Sequence, residues 1–150
     1  MHMATKWNDL IDSLTGTMKI DPDAYSPITS PNRVKSLGYA VAGWLYMLRR
    51  QKNTRIQSVA SVVVVALALW LQIDLTSWAI LILTITMVWM AEFLNAAVEA
   101  CVNLATQDYH PMAKVGKDVA SAAVLLAVVA SILVGLLLLA PPLLRRLGWA

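Results

Sequence analysis

Apolar residues in this chain fall into blocks separated by short polar breaks. Residues 4–20 place Trp7, Leu10, Ile11, Leu14 and Met18 at helical spacing, which predicts a short amphipathic helix. The stretch DPDAYSPITSPN at 21–32 carries Pro22, Pro27 and Pro31 and reads as a linker. From Arg33 onward Val34, Leu37, Val41, Leu45 and Leu48 again recur on one helical face, flanked by Lys35, Arg49 and Arg50. Such a helix can lie in the plane of a membrane interface with its apolar side in lipid.

Three longer apolar blocks follow. Gln57–Ile73 is close to the minimum length for a membrane span. DLTS at 74–77 then reads as a tight turn. The block from Trp78 to about Thr106 is ~43 Å long at about 1.5 Å per residue. That exceeds the ~30 Å hydrocarbon core, so its polar C-terminal end should protrude. The segment QDYHPMAKVGKD forms the next break, with Pro111 suited to the first position of a helix. Val119–Ala140 is the third span, and Pro141 and Pro142 are expected to end it.

Composition agrees with this pattern. The 150-residue chain is 59% hydrophobic and only 14% charged, against about 25% charged in soluble domains, and its mean hydropathy is +0.64. This composition indicates an integral membrane protein of one domain. No charged stretch followed by an apolar run opens the chain, so no cleavable leader is expected. The single cysteine, Cys101, rules out an internal disulfide and is read as a packing residue.

The net charge of +3 conceals an asymmetry. Arg33, Lys35, Arg49, Arg50, Lys52 and Arg55 are half of the 12 cationic side chains, and no Asp or Glu lies between Asp23 and Asp74. The positive-inside rule therefore places residues 33–55 and the 107–118 segment on the cytoplasmic side of a cell's inner membrane. Arg145 and Arg146 then fall on the opposite side, against the rule. Anionic lipid heads suit the basic segment better than nucleic acid, which is not expected as a partner.

AEFLNAAVEA, residues 91–100, lies within the second apolar block and carries two carboxylates. At roughly 100° per residue, Glu92, Asn95, Glu99 and Asn103 share one helical face, and Thr106 extends it. In the third block Lys114, Lys117, Asp118 and Ser121 sit at i, i+3, i+4 and i+7. A short connection makes these helices antiparallel and brings the two polar faces to one end of the bundle. Ionisable groups at membrane depth point to function. Carboxylates can hold Mg²⁺ or accept a hydroxyl proton, and a lysine can sit on phosphate. Phosphoryl transfer needs those parts. Zinc chemistry lacks a ligand set, since His2 and His110 are the only histidines. No GxxxxGK[ST] loop is present. Residue chemistry alone thus reaches a polar site, suited to metal and phosphate, at a membrane face. It leaves open a structural or proton-conducting helix bundle.

AEFLNAAVEACVNL followed by YHPMAKVGKDVASAAVLLAVV resembles the prokaryotic diacylglycerol kinase and undecaprenol kinase family. The specific pattern is E-x-x-N-x-x-x-E, then H-P-x-A-K-x-x-K-D. The resemblance runs over roughly residues 33–140, with GYAVAGWLYMLRRQKNTRIQ matching more loosely and residues 1–32 and 141–150 lying outside it. It implies an all-α homotrimer of three-span protomers with an N-terminal surface helix. It also implies transfer of the ATP γ-phosphate to a lipid hydroxyl at the cytoplasmic interface, with Mg²⁺ on the nucleotide. By position, Glu92 would be the general base and Asn95 would orient groups beside it. Glu99 would ligate Mg²⁺. Lys117 would contact phosphate, and Asp118 would contact the nucleotide or orient Lys117. Asp108, Tyr109 and His110 match a nucleotide-contacting loop, and Tyr39 a position near the nucleotide. Arg33, Arg55 and Ser121 match positions near the lipid substrate. HPMAK is more similar to the undecaprenol kinase branch. The family usually carries a metal-binding Glu at Gln51. A glutamine offers Mg²⁺ only a neutral oxygen, so weaker metal affinity or one metal fewer is expected.

Overall fold

A computed structural model of the chain describes residues 32–149. The amphipathic helix expected over 4–20 and nearly all of the expected linker lie outside those residues. Four helices are present in order: α1 Arg33–Arg50, α2 Lys52–Leu71, α3 Leu75–Ala105 and α4 Pro111–Arg146. No strand occurs among the described residues. Three of the helices, α2, α3 and α4, are long and apolar enough to cross a membrane. Helices are the open-chain solution for such sequences, because every backbone group in hydrocarbon must be paired within the segment.

The chain divides into two compact units, Met1–Gly43 and Trp44–Ala150. In the first, Asn32 starts α1 by accepting a hydrogen bond from the Val34 amide through Oδ1 at 2.9 Å. The second unit holds the end of α1 and the three long helices. α3 and α4 run antiparallel and form the most extensive pairing, while α2 touches both more sparsely. The core is tightest where α2, α3 and α4 meet: Ala68, Leu71, Leu81 and Leu139 are buried together, with Trp78, Ile85 and Leu143 packed against them. Large apolar side chains elsewhere, such as Val62, Leu94, Leu126 and Leu137, face outward, as a lipid solvent allows.

Local chemistry sets the helix ends, and three differ from the sequence expectation. α2 begins at Lys52, before the expected Gln57, because the polar residues 52–56 continue the helical backbone. It ends when Gln72 enters the left-handed region at φ 53°, donating its amide back to Ala68 and Leu69. The expected DLTS turn is shorter than four residues. Asp74 is already the N-cap of α3, accepting from the Thr76 and Ser77 amides at 2.9 and 3.1 Å. The Ser77 hydroxyl adds a bond to the same carboxyl, and these bonds hold Asp74 below the usual carboxylate range.

The third difference is the largest. Pro141 and Pro142 do not end α4, which continues through them to Arg146. Each proline removes one backbone bond. Stopping there would strand a whole turn of carbonyls in an apolar environment, so the helix persists. The stop signal is Gly148 at φ 76°. Its amide donates to the Arg145 carbonyl at 3.2 Å and the Trp149 amide to Leu144 at 3.0 Å, the paired bonds of a glycine-terminated helix. Arg146 in this last turn stacks over the Trp70 ring at 4.7 Å and ties α4 to the end of α2.

Candidate active site

α3 carries Glu92 into the interior of the second unit. The residue is 4% exposed, and among the described residues it is the one buried ionisable side chain. Its burial follows from its neighbours. Trp89 and Phe93 flank it on α3, and Trp44 stacks on them at 4.7 and 5.0 Å between ring centroids. The Trp89 indole donates to Ser61 Oγ on α2 at 3.2 Å, which satisfies its polar edge. α2 supplies the partner for Glu92: Gln57 Nε2 donates to Glu92 Oε1 at 3.2 Å.

Two recesses meet the polar ladder. One is a largely apolar groove of about 780 Å³ between α2, α3 and α4, running from Leu81, Leu139 and Leu143 to Glu92, Gln57 and Ser121. The other is a polar cleft of about 590 Å³ where α3 joins α4, walled by Asn103, Thr106, Asp108, Tyr109, His110, Lys114, Lys117 and Asp118. The antiparallel pair bridges the two. Ser121 Oγ donates to Asn95 Oδ1 at 3.5 Å, and one turn further Lys117 Nζ donates to Asn103 Oδ1 at 2.7 Å. The Asp108 loop is held by its own bonds. Thr106 Oγ1 accepts from the Asp108 amide at 3.2 Å, and His110 Nδ1 accepts from the Met112 amide at 3.2 Å as the N-cap of α4. His110 therefore has only Nε2 left for another partner.

The family model described as prokaryotic diacylglycerol kinase matches residues 38–139. The chain belongs to this family. Membership makes it an enzyme, a lipid kinase. A diacylglycerol kinase of Synechocystis is 43% identical over 116 residues, 77% of this chain and 66% of the relative. The diacylglycerol kinase of Escherichia coli K12 is 32% identical over 71% of this chain and 87% of its own length. An undecaprenol kinase of Bacillus subtilis is 33% identical over 73% of this chain and 89% of its own length. The match thus spans just under two thirds of the Synechocystis protein and most of the other two.

Part of the expected polar face is brought together: Asn95 and Asn103 of α3 meet Ser121 and Lys117 of α4, and Glu92 lines the groove with Ser121. Asp108, Tyr109, His110, Lys117 and Asp118 share the polar cleft. Asp118 does not orient Lys117. It pairs with Lys114, four residues back on the same helix, while Lys117 turns to Asn103. The i, i+4 geometry puts those two side chains side by side. Glu99 is exposed. Gln51 occupies the extended residue between α1 and α2, where its side chain makes no capping bond, and Arg55 is an exposed residue of α2. Arg33 and Tyr39 are exposed on α1 in the first unit. Among the described residues no three His, Cys, Asp or Glu side chains gather as a metal site. Glu99 and Gln51 are both oxygen donors, the type Mg²⁺ prefers, and phosphate and water oxygens would have to complete its shell.

Sequence reasoning assigned no partner to Gln57, to Lys114 or to Asn103. The available signal for Gln57 was spacing. Asn53 and Gln57 stand at i and i+4 at the start of an apolar span, and both line the groove beside Glu92.

Proposed function

We propose that this chain transfers the γ-phosphate of ATP to the hydroxyl of a membrane lipid, with Glu92 as general base. One observation carries the reading: a buried carboxylate lines an apolar groove, and a polar cleft holding Lys117 lies roughly three turns further along the same helix pair. A lipid alcohol brings its tail into the groove and its hydroxyl to the level of Glu92. The carboxylate takes the hydroxyl proton, and the oxygen forms a bond to the γ-phosphorus as the bond to ADP breaks. Lys117 offsets negative charge on the phosphates from the cleft. Asn95 orients groups at the seam through its contact with Ser121. Asp108, Tyr109, His110 and Asp118 form the nucleotide side, together with Tyr39. Arg33, Arg55 and Ser121 serve the lipid side.

Glu99 and Gln51 would hold Mg²⁺, which when bound supplies positive charge to the phosphate oxygens. The site works on the cytoplasmic side of the inner membrane, the side to which the positive-inside rule assigns residues 33–55 and the 107–118 segment. The protomers assemble as a homotrimer, which would cover apolar helix faces left open in one copy. Identity of 43% to a diacylglycerol kinase against 33% to an undecaprenol kinase favours diacylglycerol as the acceptor. A second reading, a repurposed non-catalytic member, rests on Gln51 standing where a carboxylate is usual.

The test is phosphate transfer from Mg-ATP by purified protein in lipid, with diacylglycerol and undecaprenol offered separately. Turnover of diacylglycerol ahead of undecaprenol is the expected result. Faster turnover of undecaprenol would reverse the acceptor assignment. An assembled protein that phosphorylates neither would favour the repurposed member.

A further inference from the structure

We infer that Gln57 is a positioning residue that fixes the carboxylate plane of Glu92. This rests on reading Glu92 as the base. The terminal torsion of a glutamate is broad, so a buried carboxylate can present either oxygen unless a neighbour holds it. Gln57 is that neighbour: its Nε2 donates to Glu92 Oε1 at 3.2 Å, from α2 across to α3. Three nearby serine hydroxyls are committed elsewhere. Ser61 receives the Trp89 indole, Ser58 donates to the Thr54 carbonyl, and Ser121 donates to Asn95. Asn53, one turn before Gln57, also brings its side chain to the Glu92 carboxylate.

The second observation is the other half of the same amide. Gln57 Oε1 is buried and accepts no hydrogen bond. A network present only for stability is normally fully paired, because a buried unpaired acceptor is costly. Here one side of the amide is anchored on the base and the other is buried without a partner, in a residue that lines the groove. That arrangement suits an amide kept in place to hold Glu92 with its donor. Gln57 takes no proton itself. It keeps Oε1 of Glu92 occupied and so fixes the plane of the carboxylate.

Full-length protein in lipid bilayers tests this with Gln57→Leu, Gln57→His and Glu92→Gln, measured for kcat, the KM for ATP, and thermal unfolding. Gln57→Leu removes the donor, and Gln57→His keeps an N–H at similar reach. The expected result is a roughly 10- to 100-fold fall in kcat for Gln57→Leu, the scale of a hydrogen bond to a charged group. KM for ATP stays within about twofold and the unfolding temperature is unchanged, while Gln57→His recovers most of the lost kcat. Wild-type kcat in Gln57→Leu, with Glu92→Gln inactive, overturns the positioning role and leaves the base assignment standing. Equal losses in Gln57→Leu and Gln57→His, accompanied by lower unfolding temperatures, overturn it in favour of a structural contact. Full activity in Glu92→Gln overturns the base assignment and this inference with it.

Discussion

Replacing Glu92 by glutamine separates chemistry from architecture. The residue is 4% exposed and its Oε1 receives Gln57 Nε2 at 3.2 Å. A glutamine has the same length and can turn its carbonyl oxygen to that donor, so the α2–α3 contact survives. A bond to a charged acceptor is worth about 1.5–3 kcal/mol and a neutral one about 1 kcal/mol, so roughly 1 kcal/mol is lost there. Removing a charge from an apolar interior offsets that loss. The folded bundle should therefore keep its unfolding temperature within a few degrees. Turnover should not survive, because an amide cannot accept the hydroxyl proton. General-base contributions of about 10²–10⁴-fold correspond to roughly 3–5.5 kcal/mol of barrier. The assay is phosphate transfer to lipid at saturating ATP, run beside thermal unfolding of the same preparation. A kcat within tenfold of wild type would refute Glu92 as the base. A large activity loss matched by a collapse in unfolding temperature would show the carboxylate to be a structural tie.

Three further outcomes are expected. Lys117→Met should raise the KM for ATP at least tenfold, while Asn103→Leu, which removes only the 2.7 Å tether and leaves the charge, should cost about fivefold; nucleotide titrations of both variants distinguish the two. Gln51→Glu should lower the Mg²⁺ concentration needed for half-maximal activity, since a carboxylate attracts the ion more than a neutral carbonyl does; an unchanged Mg²⁺ requirement would remove Gln51 from the metal site. Asp74→Ala should lower the unfolding temperature at neutral pH. The bonds from Ser77 and Thr76 depress the folded pKa of Asp74 below 3.8, so its contribution is complete above that value and disappears as pH falls through the lowered folded value. The wild-type and variant melting curves should converge only in that acidic window.

Much of the site was legible because its chemistry is periodic. A carboxylate, an amide and a second carboxylate at helical spacing inside an apolar block declare one face of a membrane helix, whatever that helix packs against. The facing Lys114, Lys117, Asp118 and Ser121 follow from the same periodicity once a short loop makes the helices antiparallel. Side-chain pairing within that face was not legible. Lys117 has Asp118 beside it in sequence, yet it takes Asn103 from α3, because interhelical registry brings that amide to its tip. Gln57 was hidden for the same reason: its spacing with Asn53 marks a polar start to α2 but does not name a carboxylate 35 residues later as its partner.

The sequence by itself determined the solvent and the elements. Apolar blocks of span length require a bilayer and helices, since backbone groups in hydrocarbon can be paired only within a segment or a closed sheet. It also determined where the ionisable groups enter the membrane. Tertiary structure alone decided that the last turn of α4 is tied to α2, through Arg146 over the Trp70 ring, whereas Gly148 is the local signal that ends the helix. It decided too which oxygen of Glu92 is held, and that the carboxylate faces a groove rather than lipid. Those outcomes depend on distances between helices, and no spacing along one chain contains them.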